Sequence, residues 1–194
     1  MTPEPKPDLP VSPPLVIDIA MPCAAWAAAG IDAAAIAERA LGAAFADGVR
    51  HRAITLSGPA EASLMLTDDA TITGFNRDWR GQDKPTNVLS FAAMDDADDA
   101  VEMPPGAERL LGDIVIAFET TDAEARRDGK TLADHLSHLC VHGMLHLLGF
   151  DHETDADAEE MEALETEILA TLGIDNPYHG DASAGHDASE NPEL

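Results

Sequence analysis

Four histidines fall on one stripe of a single helical segment, and nothing else in this chain limits its fold and chemistry as tightly. Between Leu132 and Leu148 the sequence places His135, His138, His142 and His146, stepping by 3, 4 and 4 residues. One position further on, Leu136, Leu139, Gly143 and Leu147 run in parallel. At ~100° per residue these are adjacent faces of one α-helix. The apolar face can enter a core while the histidine face lines a cleft.

The segment His142-Gly-Met-Leu-His146-Leu-Leu-Gly149-Phe-Asp-His152 makes the chemistry specific. Positions i and i+4 lie only ~40° apart around a helix and ~6 Å apart along it, so two imidazoles can converge on one ion. Gly149 can take a positive φ and turn the chain back. His152 then arrives from a different direction as a third ligand. Three neutral imidazoles suit zinc and leave the fourth tetrahedral position for water. The expected ligands of one Zn2+ per chain are therefore His142, His146 and His152. A lone helical histidine is more often a satisfied polar group. Three at this spacing, joined by a helix-stopping glycine, are not explained that way.

Other residues near this segment take lesser roles. His138 is expected to support a ligand or pack in the core rather than bind as a fourth ligand, and His135 to be exposed or structural. His51, His179 and His186 have no companions and receive no chemistry. Cys140 sits ~160° from His142 around the helix and reads as a buried apolar filler. Metzincin proteases carry His-Glu-x-x-His followed by glycine and a third histidine at the same spacing. Here Gly143 stands where their general-base glutamate would be. Asp151 could replace that base, but orienting an imidazole is its favoured role.

Size and composition set the frame. A chain of 194 residues with 45% hydrophobic content supports one compact domain with tails. The expected division is a disordered lead over 1–13, which holds five prolines, one domain over 14–178, and a polar tail over 179–194. No apolar run approaches the ~20 residues of a bilayer span. The run Leu15–Trp26 is interrupted by Asp18 and Pro22 and does not read as a signal peptide. Two cysteines, Cys23 and Cys140, make no disulfide framework, which suits a reducing cytoplasm.

Periodicity predicts strands at Leu15–Ala20, Arg52–Leu56, Ser63–Leu66, Asn87–Phe91 and Leu111–Phe118. It predicts helices at Ala33–Ala46 (ending near Gly48), Ala70–Arg80 capped by Asp68-Asp69, Thr121–Asp128, Leu132–Leu148 and Asp155–Leu172. Residues 92–108, with six acids and Pro104-Pro105-Gly106, read as a surface loop. The expected fold class is α+β, in mixed α/β layers: a small mixed sheet of about four strands flanked by helices, with the zinc-binding helix lining a cleft.

At this point the residues resemble a known family. His142–His152 is similar to the signature of the YbeY endoribonuclease (rRNA maturation factor) family. Phe75-Asn-Arg-Asp-Trp-Arg80 followed by Lys84-Pro-Thr-Asn-Val-Leu-Ser-Phe91 resembles its arginine-bearing segment, and Leu111-Gly-Asp-Ile-Val-Ile-Ala117 its central strand. The likeness covers about residues 60–178 and includes the acidic last helix. Phe150 stands where a tyrosine is common, Phe75 for a leucine and Ala92 for a proline; none touches a ligand. The resemblance implies a single-strand-specific, metal-dependent endoribonuclease acting in ribosomal RNA processing, including 16S 3′ end maturation, and in ribosome quality control. It implies His142, His146 and His152 as zinc ligands, and catalytic roles for Arg80 and His142. Expected partners are single-stranded rRNA and the small ribosomal subunit with its proteins or assembly GTPases, but neither membrane nor DNA.

Charge needs reconciling with an RNA substrate. Eleven Lys+Arg against 37 Asp+Glu give a net charge of −26, which excludes a general polyanion binder. Seven of the eleven basic residues, Arg77, Arg80, Lys84, Arg109, Arg126, Arg127 and Lys130, lie between 77 and 130, whereas Asp151–Glu167 holds nine acids. The expected arrangement is a basic patch near the cleft, with Arg77, Arg80 and Lys84 contacting substrate, and an acidic back formed by the last helix.

Overall fold

The computed structural model describes residues 14–93 and 106–178. The expected lead over 1–13, the tail over 179–194 and most of the acidic loop lie outside the described residues. In chain order the elements are β1 (Leu15–Ala20), α1 (Ala24–Ala28), α2 (Ala33–His51), β2 (Ala60–Thr67), α3 (Asp69–Arg80), β3 (Val88–Ala92), β4 (Arg109–Ala117), α4 (Phe118–Arg127), α5 (Leu132–Leu147) and α6 (Asp155–Thr171). The fold class is α+β, as expected from the sequence.

The four strands form one sheet in the order β1-β2-β4-β3. β1, β2 and β4 run parallel, and β3 pairs antiparallel with β4 at the edge. Side-chain alternation divides the sheet into two faces. Ala60, Ala62, Leu64 and Leu66 of β2, with Ile114 and Ile116 of β4, join α2, α5 and α6 in the main core. Leu89, Val115 and Ala117 point the other way and are covered by Ile72 of α3. Helix α5 is the centre of the main core, with Leu136, Cys140, Val141, Met144, Leu145 and Leu147 fully buried. Cys140 is therefore the apolar filler its helical position implied.

Gly143 lets α5 lie directly on the sheet. A Cβ there would meet Ile114 Cγ2 at 3.0 Å and Ser90 Oγ at 3.2 Å. The same face that packs on β3 and β4 thus leaves only a tight fit for a side chain at this position. The histidine face, one step around the helix, lines a cleft with Val88, Ser90 and Ala92 of β3.

Three local expectations are corrected. α2 does not end near Gly48 but runs on to His51. Gly48 is a contact rather than a stop: a Cβ there would meet Leu148 Cδ1 at 2.6 Å. The helix closes instead on Ala53, at φ 50°, with Ile54 N–H donating to Val49 O at 2.9 Å. That closure uses up Arg52–Leu56, which forms the connector to β2 and not a strand. Finally, α1 is a short helix that the alanine-rich run hid. It buries Trp26, whose Nε1 donates to Thr67 O at 3.1 Å and whose ring meets Phe118 edge-on at 5.1 Å.

The helices flanking the cleft are tied at their starts. Asp68 Oδ1 accepts from Thr71 N–H at 2.8 Å and caps α3. Asp69 accepts from Thr120 N–H at 3.1 Å, while Glu119 accepts from Asp69 N–H at 2.9 Å. This exchange ties α3, which carries Arg80, to α4.

The β2–β4 register shifts between Glu61 and Ala62, leaving Leu111 as the extra residue of a bulge. Gly112 follows it at φ 134°, and a Cβ there would lie 2.1 Å from Phe91 O. Gly112→Ala is expected to lower the urea midpoint by an amount equivalent to ~2 kcal/mol or more, through strain plus lost β3 pairing. Gly42→Ala, in the interior of α2 with nothing within 4 Å of its Cβ, is expected to shift the midpoint the other way, by ~0.5–1 kcal/mol.

Candidate metal centre

Helix α5 begins at Thr131, whose hydroxyl accepts from Asp134 N–H at 3.0 Å, and it ends in a turn that builds the site. Gly149 takes φ 81°. Its N–H donates to His146 O and Phe150 N–H donates to Leu145 O, both at 3.0 Å, which is the Schellman closure. Phe150 is buried and anchors the turn. Its carbonyl then faces back toward α5 and accepts from His146 Nδ1 at 3.0 Å. Asp151 Oδ1 accepts from the main-chain N–H of His152 at 2.7 Å. Asp151 therefore shapes the backbone that brings His152 back rather than gripping an imidazole.

The result is a group of three. Ligand atoms of His142, His146 and His152 all lie within 4.8 Å of one another. Their rings sit 4.5 Å (His142–His146), 5.1 Å (His146–His152) and 5.9 Å (His142–His152) apart. His142 Nδ1 donates to Glu165 Oε1 at 2.8 Å. His142 and His146 thus each commit an Nδ1 proton, one to a carboxylate and the other to a carbonyl.

A neutral imidazole has one N–H, so both Nε2 atoms present lone pairs. Those two Nε2 atoms face each other at 3.0 Å. Two lone pairs at that distance repel unless a cation lies between them. Nitrogens bound at ~2.0–2.1 Å to one ion, at angles of about 90–110°, would be about 3 Å apart. The donor set fits a divalent metal. Burial, helped by His142 and His152 nearby, pushes the His146 pKa down to about 4, which keeps it in the ligating neutral form at neutral pH.

Behind the triad stands a residue that sequence reasoning did not single out. Glu165 is fully buried in α6. It accepts from His142 Nδ1, from His138 Nε2 at 3.1 Å and from the Tyr178 hydroxyl. Burial alone would raise its pKa, but the hydrogen bonds from His138 and His142 prevail and hold it at about 2. An anion one imidazole away from a metal fixes the ligand's tautomer and raises its basicity. The signal was present in the sequence: Glu165 interrupts the stripe Met161, Leu164, Ile168 on the buried face of α6. His138 supports a neighbour of the triad rather than joining it. His135 is buried, with Nε2 2.8 Å from Glu124 Oε2, an oxygen that also accepts from Asn87 Nδ2 at 2.9 Å.

The three histidines line a cleft of about 410 Å3 together with Arg80, Asn87 and Ser90. The acids that could have neutralised Arg80 are engaged elsewhere: Asp78 and Asp83 pair with Arg77, at 3.1 and 3.6 Å. Among the described residues Arg80 has no carboxylate within 4.0 Å. Arg77 and Lys84 do not line the cleft. Arg126 pairs with Asp122 at 2.8 Å and Arg127 with Asp128 at 2.7 Å, and Lys130 Nζ donates to Pro177 O at 3.1 Å. Of the seven basic residues expected to form a patch, Arg80 alone lines this cleft among the described residues. Gly143 faces Ile114 and Ser90 in close contact, and the cleft lacks the glutamate that metalloprotease chemistry would need at this position.

A family model described as Endoribonuclease YbeY matches residues 32–173. The chain belongs to the YbeY family. Curated relatives named "Endoribonuclease YbeY" agree. The protein of Paramagnetospirillum magneticum is 57% identical over 167 residues, covering 84% of this chain and 94% of the relative. The protein of Beijerinckia indica is 51% identical over 173 residues, covering 86% and 78%. A solution structure of a Thermotoga maritima protein shares the fold, with a TM-score of 0.51, 22% identity, and coverage of 91% of this chain and 100% of that one.

Glu165→Ala should weaken divalent-metal affinity ~10–100-fold in a chelator competition. In the metal-free chain, wild type should exceed Glu165→Gln in stability above pH 4.5, the ordinary value for the group, and the gap should close as pH falls toward 2. Urea unfolding across that range measures it.

Proposed function

We propose that this chain is a zinc-dependent endoribonuclease that cleaves single-stranded ribosomal RNA, with 16S 3′ end maturation and ribosome quality control as its setting. The observation that carries this reading is the juxtaposition, in one cleft, of two opposed imidazole lone pairs and an arginine that has no acidic partner among the described residues. His142, His146 and His152 would hold one Zn2+. When bound, the ion supplies positive charge and Lewis acidity beside the scissile phosphate.

The residues of the chain do the rest. Phosphodiester cleavage builds negative charge on the non-bridging oxygens. The guanidinium of Arg80 lines the cleft and offers a planar fork of donors matched to two of those oxygens. Glu165 keeps the His142 proton on Nδ1, so that Nε2 stays a ligand. Arg77 and Lys84 serve as outer substrate contacts, along the strand of RNA leading to the cleft. No described helix is long and apolar enough to cross a membrane. We place the chain in the cytoplasm with the ribosome.

The charge of −26 shapes how the substrate is found. With Arg80 the one basic residue lining the cleft among the described residues, and Arg77 and Lys84 outside it, counterion release on binding naked RNA is small. Address then comes from the small ribosomal subunit, through its proteins or assembly GTPases.

Two tests follow from this reading. Purified chain should cleave single-stranded RNA, lose that activity on chelation and in His146→Ala, and leave an unfolded protein substrate intact. Arg80→Ala should lose ~100-fold or more in kcat/KM with zinc content unchanged. Wild-type cleavage in that variant would remove the clamp. In the second test, the plot of log binding constant against log salt for naked single-stranded RNA should have a slope no steeper than about −2, that is about 0.7 per phosphate for the contacts of Arg80, Arg77 and Lys84. A much steeper slope would contradict the small phosphate footprint and the address through the ribosome.

A further inference from the structure

Trp79 is 72% exposed, the most open large apolar side chain among the described residues, whereas the other tryptophan, Trp26, is fully buried. Leaving an indole in water is unfavourable unless something covers it in use. Phe91 backs the ring at a centroid distance of 5.5 Å, and Phe75 backs Phe91 at 6.3 Å, so the indole stands on an aromatic ridge.

The place of this ridge matters. Trp79 directly precedes Arg80 in the last turn of α3. Side chains one residue apart diverge by ~100° around a helix. Arg80 lines the histidine cleft, while Trp79 lines a groove of about 780 Å3 on the outer sheet face. Ser90 and Ala92 of the edge strand β3 line both depressions. One surface therefore runs from the histidine triad, past Arg80 and over β3, to the indole.

We propose that Trp79 is a nucleobase platform: a base flanking the phosphate held at Arg80 stacks on its exposed indole. This deepens the endoribonuclease reading and rests on it. The charge of the chain makes such a contact valuable. Phosphate affinity is weak where Arg77, Arg126 and Arg127 are paired with local acids. Stacking needs no net charge and tolerates any base, since every base has a π face. It also requires an unstacked base, which a duplex does not offer. The same contact therefore supplies affinity and selects single strands.

Fluorescence tests this directly, because Trp26 is buried and hydrogen-bonded and a change on titration reports Trp79. The full chain, freed of metal to prevent turnover, is titrated with a short single-stranded oligoribonucleotide, the same strand in a duplex, and the strand with one abasic position. The single strand should quench the emission, and the duplex should not. An abasic position that faces Trp79 should reduce the quench. Trp79→Ala should weaken single-strand affinity about tenfold or more, and Trp79→Phe should restore most of it. In the metal-loaded chain Trp79→Ala should raise KM more than it lowers kcat.

Absence of quenching, together with wild-type affinity in Trp79→Ala, overturns the platform. Unchanged RNA affinity with lost binding to purified small subunits also overturns it, and makes the ridge a protein contact. A chain that quenches with single strands but never cleaves them supports the platform while refuting the nuclease reading. A chain that cleaves without quenching refutes the platform alone.

Discussion

A carboxylate with no exposed surface holds the centre of this molecule together. Glu165 is ionised inside the fold, and a buried charge is tolerated only when its lone pairs are matched by donors. His138, His142 and Tyr178 supply them. That requirement fixes α6 against α5 at one register. It draws the chain after α6 back so that Tyr178 closes on the same group. It also leaves His142 with its proton on one nitrogen and its lone pair on the other. The second imidazole is set the same way by the carbonyl of Phe150, which depends on the glycine-closed end of α5. Two independent pieces of folding chemistry thus aim two lone pairs at one point.

The site lies where it does because of packing. Gly143 allows α5 to rest on Ile114 and Ser90, and the histidine face shares its cleft with Val88, Ser90 and Ala92 of β3. Edge strand β3 then becomes the wall between the histidine cleft and the outer face. Helix α3 stands at the end of that wall, held to α4 through Asp69 and Glu119, and its last turn sends Arg80 to one side and Trp79 to the other. In a chain this acidic, the pairing of Arg77 with Asp78 and Asp83 is as informative as the freedom of Arg80. Local acids pair with Arg77, Arg126 and Arg127, whereas Arg80, the basic residue that lines the cleft, has no acidic partner among the described residues.

Much of this was legible in the sequence, for local reasons. Histidines four apart, followed by a glycine that must turn, specify convergence within a few residues, so the triad and its helix could be read directly. So could the strands whose alternation faces one core, and the capping role of Asp68. What could not be read depends on distant neighbours. Gly48 has the form of a helix stop, yet its purpose is to admit Leu148. The true stop, Ala53, carries no glycine signal, which is why Arg52–Leu56 resembled a strand. The role of Glu165 requires knowing that α6 packs on α5, although an acid within an apolar stripe was a clue. The ion pairs of the clustered basic residues could not be read for the same reason: clustering along the chain does not show which acids lie within reach of each arginine.

The account stands on a three-imidazole centre with one position open to solvent. X-ray absorption at the zinc edge of the metal-loaded chain tests that claim most directly. The account predicts one zinc per chain bound by three imidazoles at ~2.0–2.1 Å, with a fourth, exchangeable oxygen ligand. A shell closed by four protein ligands, through His138 or a carboxylate, or a chain that retains no stoichiometric metal, would contradict it.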